Sequence, residues 1–114
     1  MKLEEVAQAL SLEVHSAPGK LDADVIGGYA CDLLSYVMAK ATAGDLWITV
    51  QGHPNIVAVA SLIGLAGIVV AEGAKVEPAT LEKAEQEGVP ILTTPLPTYA
   101  VAGRLWELGV GRIA

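Results

Sequence analysis

The sequence has no phenylalanine, a single cysteine and few aromatics of any kind. The lone Cys31 cannot close an internal disulfide, which excludes a disulfide-stapled secreted fold. Basic residues are also scarce, with 7 Lys and Arg against 13 Asp and Glu and a formal net charge of -6. An acidic chain without a basic cluster binds phosphate backbones poorly, so nucleic acid is not expected as a partner. His15, His53 and Cys31 are too scattered for metal-ligand spacing. No long apolar run survives inspection either. Leu46 to Ala71 is free of charge, but Gln51-Gly52-His53-Pro54-Asn55 interrupts it. What remains is broken by Gly64 and Gly67 and falls short of the roughly 20 apolar residues a membrane span needs. Met1-Lys2-Leu3-Glu4-Glu5 places two acids where a signal peptide requires an apolar stretch, so a cytoplasmic protein without membrane contact is expected.

The motifs of several enzyme classes are missing as well. Gly19-Lys20 lacks the earlier glycine and the following hydroxyl of a phosphate loop. Gly-x-Gly-x-x-Gly and Gly-x-Ser-x-Gly do not occur. These absences point to a non-catalytic chain with no cofactor.

What is present is aliphatic. Of the 114 residues, 53% are apolar, mostly Ala, Val, Leu and Ile, enough to fold one small domain spanning residues 1–114. Gly44, Gly67, Gly88 and Gly109 fall at near-regular intervals, each after a helical-looking segment. Glycine just past a helix supplies a left-handed cap. The runs that follow, Leu46 to Val50, Ile68 to Ala71 and Val89 to Leu92, have the character of buried strands, and Val110 to Ile113 is a fourth candidate. Helices are expected over Lys2 to Leu10, Cys31 to Thr42, Asn55 to Ala66, Pro78 to Glu87 and Pro97 to Leu108. Leu12 to His15 and Asp24 to Gly27 suggest two further strands, with a loop at Ser16 to Lys20. Alternating strands and helices imply an α/β domain with a mostly parallel sheet flanked by helices. The helix at Asn55 to Ala66, apolar nearly all round, is the expected subunit contact.

Loops after parallel strands collect at one edge of the sheet, where ligands bind. Four are expected there: Gly27-Gly28-Tyr29, Gln51 to Asn55, Glu72 to Lys75 and Thr93 to Pro95. The ligand-binding candidates are Gly27, Gly28, Thr49, Gln51, His53, Asn55, Gly73 and Thr93. Glycines admit close backbone approach, and the N–H groups at a helix start hold an anion. The plainer alternatives stay open. His53 or Asn55 can cap the helix, and paired glycines can simply permit a tight turn. Asp32 suits a helix-dipole partner.

Asp24-Val25-Ile26-Gly27-Gly28 lies where DRTGG domains carry the motif that names them. Together with Cys31-Asp32-Leu33-Leu34-Ser35, Ile48 to Asn55 and Gly67-Ile68-Val69-Val70, the chain resembles a short member of that family from about residue 3 to 109. Val25-Ile26 departs from the Arg-Thr of the motif. The resemblance implies an α/β domain that dimerises and serves as a regulatory accessory module, in some relatives responsive to adenine nucleotides. It therefore points to a homodimer binding a small anion such as a nucleotide. The alternative is an interaction module without a small ligand, making contact through Asn55 to Ala66 or through the face of Trp106.

Overall fold

Strand and helix alternate along most of the chain. The computed structural model describes residues 1–111. Helix α1, Leu3–Leu10, buries Leu3, Val6, Ala7 and Leu10, the stripe expected at helical spacing. The Glu5 carboxylate accepts the Lys2 N–H at 2.8 Å and so satisfies one orphan donor at its start. Strand β1, Glu13–Val14, and a short 3-10 turn at Pro18–Lys20 follow. Then come β2 (Gly27–Ala30), α2 (Leu34–Lys40), β3 (Asp45–Thr49), α3 (Asn55–Ile63), β4 (Gly67–Val70), α4 (Pro78–Glu87), β5 (Ile91–Thr93) and α5 (Thr98–Glu107).

The five strands form one sheet in the order β1-β5-β4-β3-β2. β2 to β5 run parallel, and β1 alone joins antiparallel, against β5. The mostly parallel sheet expected from the alternation is therefore observed.

Side chains alternate cleanly between two cores. Leu46, Ile48, Val69 and Leu92 face one side with α1 and α5. Trp47, Ile68, Val70 and Ile91 face the other with α2, α3 and α4. Both faces are covered, so β3 and β4 consist of near-continuous apolar runs. Each fully buried Val, Leu or Ile contributes about 1.5–3 kcal/mol relative to exposure.

α3 is covered on more than one side, as its nearly all-round apolar composition implies. It lies between α2 and α4, so Ile56, Val57, Val59 and Ala60 are buried within the chain, and Leu62 is the large apolar side chain it leaves exposed.

Some boundaries shift for identifiable reasons. Gly64 (φ 83°), not Gly67, caps α3, and Gly67 opens β4. Gly88 caps α4 as expected. α2 ends at Lys40 without a glycine. The stretch Asp24 to Ile26 precedes β2 instead of forming it. The Val25 N–H donates to the Met1 carbonyl at 2.8 Å, and Asp24 bridges to Lys2, so this segment pairs with the N-terminus. Val110 and Gly111 form a turn, not a strand, and the remainder of that expected run lies outside the described residues.

Candidate functional site

The parallel strands end at Ala30, Thr49, Val70 and Thr93, and the loops that follow share one edge of the sheet. The first two of these loops are locked together by Asp32. The hydroxyl of fully buried Thr49 donates to Asp32 Oδ1 at 2.8 Å, and the Val50 N–H donates to the same oxygen at 2.9 Å. The Gln51 amide donates to the Asp32 carbonyl at 3.2 Å. The Gln51 N–H reaches back to Thr49 Oγ1 at 3.2 Å. A hydrogen bond to a charged group contributes about 1.5–3 kcal/mol net, so this lock is a substantial local constraint. Asp32 does not cap α2, whose preceding residue Leu33 makes no side-chain cap bond.

A second clamp joins the β3–α3 loop to the β4–α4 loop. The Gly52 carbonyl accepts from the hydroxyl of buried Thr80 at 2.6 Å and from the Glu77 N–H at 3.1 Å. A Cβ on Gly52 would run into the carbonyl of Lys75. Glycine is therefore required by close approach, not by an unusual φ.

Next to it, His53 Nδ1 accepts the Asn55 N–H at 3.2 Å, so His53 caps the start of α3. A neutral ring accepting at Nδ1 carries its proton on Nε2. His53 and Asn55 are both exposed at this helix start.

A crevice forms where neighbouring strands send their chains to opposite faces. Here β4 leads to α4 in one layer, whereas β5 leads to α5 in the other. The divergence is bridged by backbone. The Glu72 N–H donates to the Leu96 carbonyl at 2.9 Å, and the Gly73 N–H to the Thr94 carbonyl at 3.0 Å. Glu72 is left-handed (φ 65°), and its carboxylate accepts the Thr98 N–H at the start of α5 at 2.7 Å. Thr94 is buried, and its hydroxyl accepts the Leu96 N–H at 3.2 Å.

The eight candidate residues fall into three places. Thr49, Gln51, His53 and Asn55 lie together on the end of β3 and the start of α3, with Gly73 on the adjoining loop. Thr93 ends β5 but turns toward β1, where its hydroxyl meets His15 Nε2 at 2.8 Å. Gly27 and Gly28 do not belong to a loop at this edge. They open β2, paired with Asp45 and Leu46, at the opposite end of the parallel strands. A Cβ on Gly27 would stand 2.6 Å from Asp45 Oδ1, and the Gly111 turn packs on the Gly27 backbone. The glycine pair serves close packing there.

Sequence patterns gave no hint of Thr80, Thr94 or the tie from Glu72 to α5. They pair with groups brought near only by the fold. Among the described residues, no cluster of His, Cys, Asp and Glu could hold a metal ion. No helix among them is long and apolar enough to cross a membrane.

This is a five-stranded α/β domain with its polar loops gathered at one sheet edge. The DRTGG domain family model matches residues 5–108, and the chain belongs to that family. The CBS and DRTGG domains from the regulatory region of Clostridium perfringens pyrophosphatase, solved with the activator diadenosine tetraphosphate, share this fold. The TM-score is 0.73 at 16% identity. The match covers 91% of this chain and 45% of that one, so this chain spans about half its length. No curated protein matches the sequence.

Proposed function

We propose that this chain is a non-catalytic regulatory module of the cytoplasm, a homodimer that binds a small anion, specifically a nucleotide, at the carboxyl edge of its parallel strands. The observation that carries this reading is the clamp at Gly52. It fixes the α3 start, with exposed His53 and Asn55, against the loop of Lys75. The positive end of the α3 dipole, the His53 imidazole and Lys75 on the adjoining loop would attract an anion on a chain that is otherwise acidic, and an anion taking the first N–H groups of α3 would displace their present acceptors on His53 and Pro54. Of the nearby carboxylates, Asp32 and Glu72 accept N–H and hydroxyl donors, while Glu77, whose N–H holds the Gly52 carbonyl, is exposed on the Lys75 loop. Phosphate would lie against the α3 start and His53, with Gln51 and Gly73 lining the approach. Thr93 would have to release His15 to take part. Support also comes from the similar fold in a regulatory region solved with a nucleotide activator.

Titration calorimetry of the full chain with adenine and guanine nucleotides tests this reading. Binding is expected, and His53→Ala should weaken it by about fivefold, or roughly 1 kcal/mol. Absence of binding at about millimolar nucleotide, where ΔG is only some -4 kcal/mol, by protein that is folded by circular dichroism would overturn it.

A second reading, an interaction module with no small ligand, is favoured by the half-exposed Trp106 on α5. It predicts a stable heteromeric complex and no nucleotide heat.

A further inference from the structure

Small residues meet where β2 faces α5. Gly28 and Ala30 lie two positions apart on β2 and so share one face of the sheet. Ala102 lies on α5, four positions before Trp106 and on the same side of that helix. Backbone conformation does not call for glycine at position 28, since its φ is not positive. A Cβ there would meet only Leu46, Ile48 and Leu105, at 3.8–3.9 Å. A methyl group therefore fits, and the glycine leaves the space open.

That space is a cavity of about 160 Å³ between β2, β3 and α5. Buried Ile48, Leu105 and Val110 form its inner wall. Half-buried Ala102 and the 58% exposed Trp106 stand at its mouth. Among the described residues, no charged side chain lines it, and the indole N–H of Trp106 is its one side-chain hydrogen-bonding group. Close-packed interiors hold few voids larger than a water molecule. An apolar cavity of about 150 Å³ stays dry and admits a molecule the size of benzene. The cavity lies on the α5 face of the sheet, whereas α3 packs on the other face, so it is separate from the loops around His53.

We infer that this cavity is a second ligand site, and that its ligand is a small, uncharged molecule built on a single aromatic ring. Volume sets the size, one ring and a short substituent. Charge sets the class. An ionised ligand would shed its hydration against walls that offer no counter-charge. The net charge of -6 opposes the approach of anions in particular. Trp106 selects a ring over an aliphatic chain, because an indole gains from offset or edge-to-face contact with another ring. A bound ring would also cover indole surface that now faces water. The inference does not rest on the nucleotide reading, since the two sites lie apart and take ligands of opposite character.

Amide NMR spectra of the full, isotope-labelled chain titrated with toluene to about millimolar concentration test it. The Trp106 indole N–H and the Gly28 and Ala30 amides are expected to shift together, with the Asn55 amide unmoved. Ala102→Leu, at the mouth, fills the cavity and should raise the toluene dissociation constant by at least about tenfold. Gly28→Ala, whose methyl group fits without displacing a neighbour, should raise it by about threefold. Benzoate carries the same ring with a charge and should bind at least about tenfold more weakly than toluene. Leu62→Ala, at the exposed apolar residue of α3, should leave the titration unchanged. The same spectra show whether each variant is folded, and Gly28→Ala gives the reading should Ala102→Leu fail to fold. Absence of any shift at Trp106 overturns the site. Shifts that survive both filling substitutions overturn its place, and equal binding of benzoate overturns its class. Nucleotide heat measured on the same protein reports separately on the loops around His53.

Discussion

The two ends of the parallel strands hold glycines for opposite reasons. At the carboxyl end, Gly52 sits between two loops that are bonded to one another. Its carbonyl takes Thr80 and Glu77, and its missing side chain makes room for the Lys75 carbonyl. At the amino end, Gly27 and Gly28 make room for Asp45, for the Gly111 turn and for Leu105. The first end is fixed by hydrogen bonds across chain connections, the second by van der Waals contact. A paired glycine next to a strand therefore marks close approach of some kind, and only the fold shows whether the approaching group is a ligand or the chain itself.

The largest effect should come from Gly52→Ala. The obstacle is backbone on both sides, so nothing flexible can yield. We expect a loss of about 3 kcal/mol in urea unfolding, the upper part of the overpacking range, together with loss of nucleotide heat. A stable, binding-competent Gly52→Ala protein would show that the clamp does not hold the two loops. Thr49→Val comes next. The substitution keeps the shape of the side chain but removes a buried hydroxyl from Asp32 and from the Gln51 N–H. About 2 kcal/mol should be lost, because a charge-assisted bond disappears while the Val50 N–H still holds the carboxylate.

The amino end should tolerate more, and its two glycines should differ. Gly27→Ala meets a carboxylate oxygen at 2.6 Å, and that carboxylate also holds the Thr42 N–H at 2.9 Å. A cost of about 1 kcal/mol is expected as Asp45 shifts. At Gly28 the nearest atoms stand 3.8 and 3.9 Å from a new Cβ, ordinary contact distances. Gly28→Ala should therefore lie within about 0.5 kcal/mol of the parent in chemical denaturation. Equal costs at Gly27 and Gly28 would show that the end as a whole resists side chains, in place of one local contact.

Much of this architecture was legible in the sequence. Short β-branched runs after glycine, such as Ile68-Val69-Val70, have the character of strands buried on both faces, and Pro78 marked the start of α4. The position of β2 was not legible. Val25-Ile26 has stronger strand character than Gly27-Gly28, yet Val25 bonds to the N-terminal residue while the glycines join the ladder through backbone alone. The site was legible as a group of residues on one loop, Thr49 to Asn55, because they are contiguous. Its anchors were not. Asp32 meets Thr49 across 17 positions and Gly52 meets Thr80 across 28, and no local period encodes such pairs. The apolar excess of α3 was legible, but what covers the helix was not. An all-round apolar helix can be covered by a partner chain or by its own neighbours, and α3 is covered by α2 and α4.

The smallest effect concerns Glu72, where two terms oppose one another at the crevice between β4 and β5. Its left-handed backbone costs a non-glycine residue about 1–2 kcal/mol. Its carboxylate, bonded to the Thr98 N–H at 2.7 Å, returns about 1 kcal/mol as a cap on α5. Glu72→Gly removes both, and the freed backbone entropy of the unfolded chain offsets part of the relief. The net change in unfolding free energy should fall within about 0.5 kcal/mol, while Glu72→Ala, which keeps the strain and loses the cap, should cost about 1 kcal/mol. The difference between these two variants isolates the backbone term. If both destabilise equally, the left-handed turn is not strained, and the carboxyl edge is held by the Asp32 and Gly52 contacts with no strain stored at its crevice.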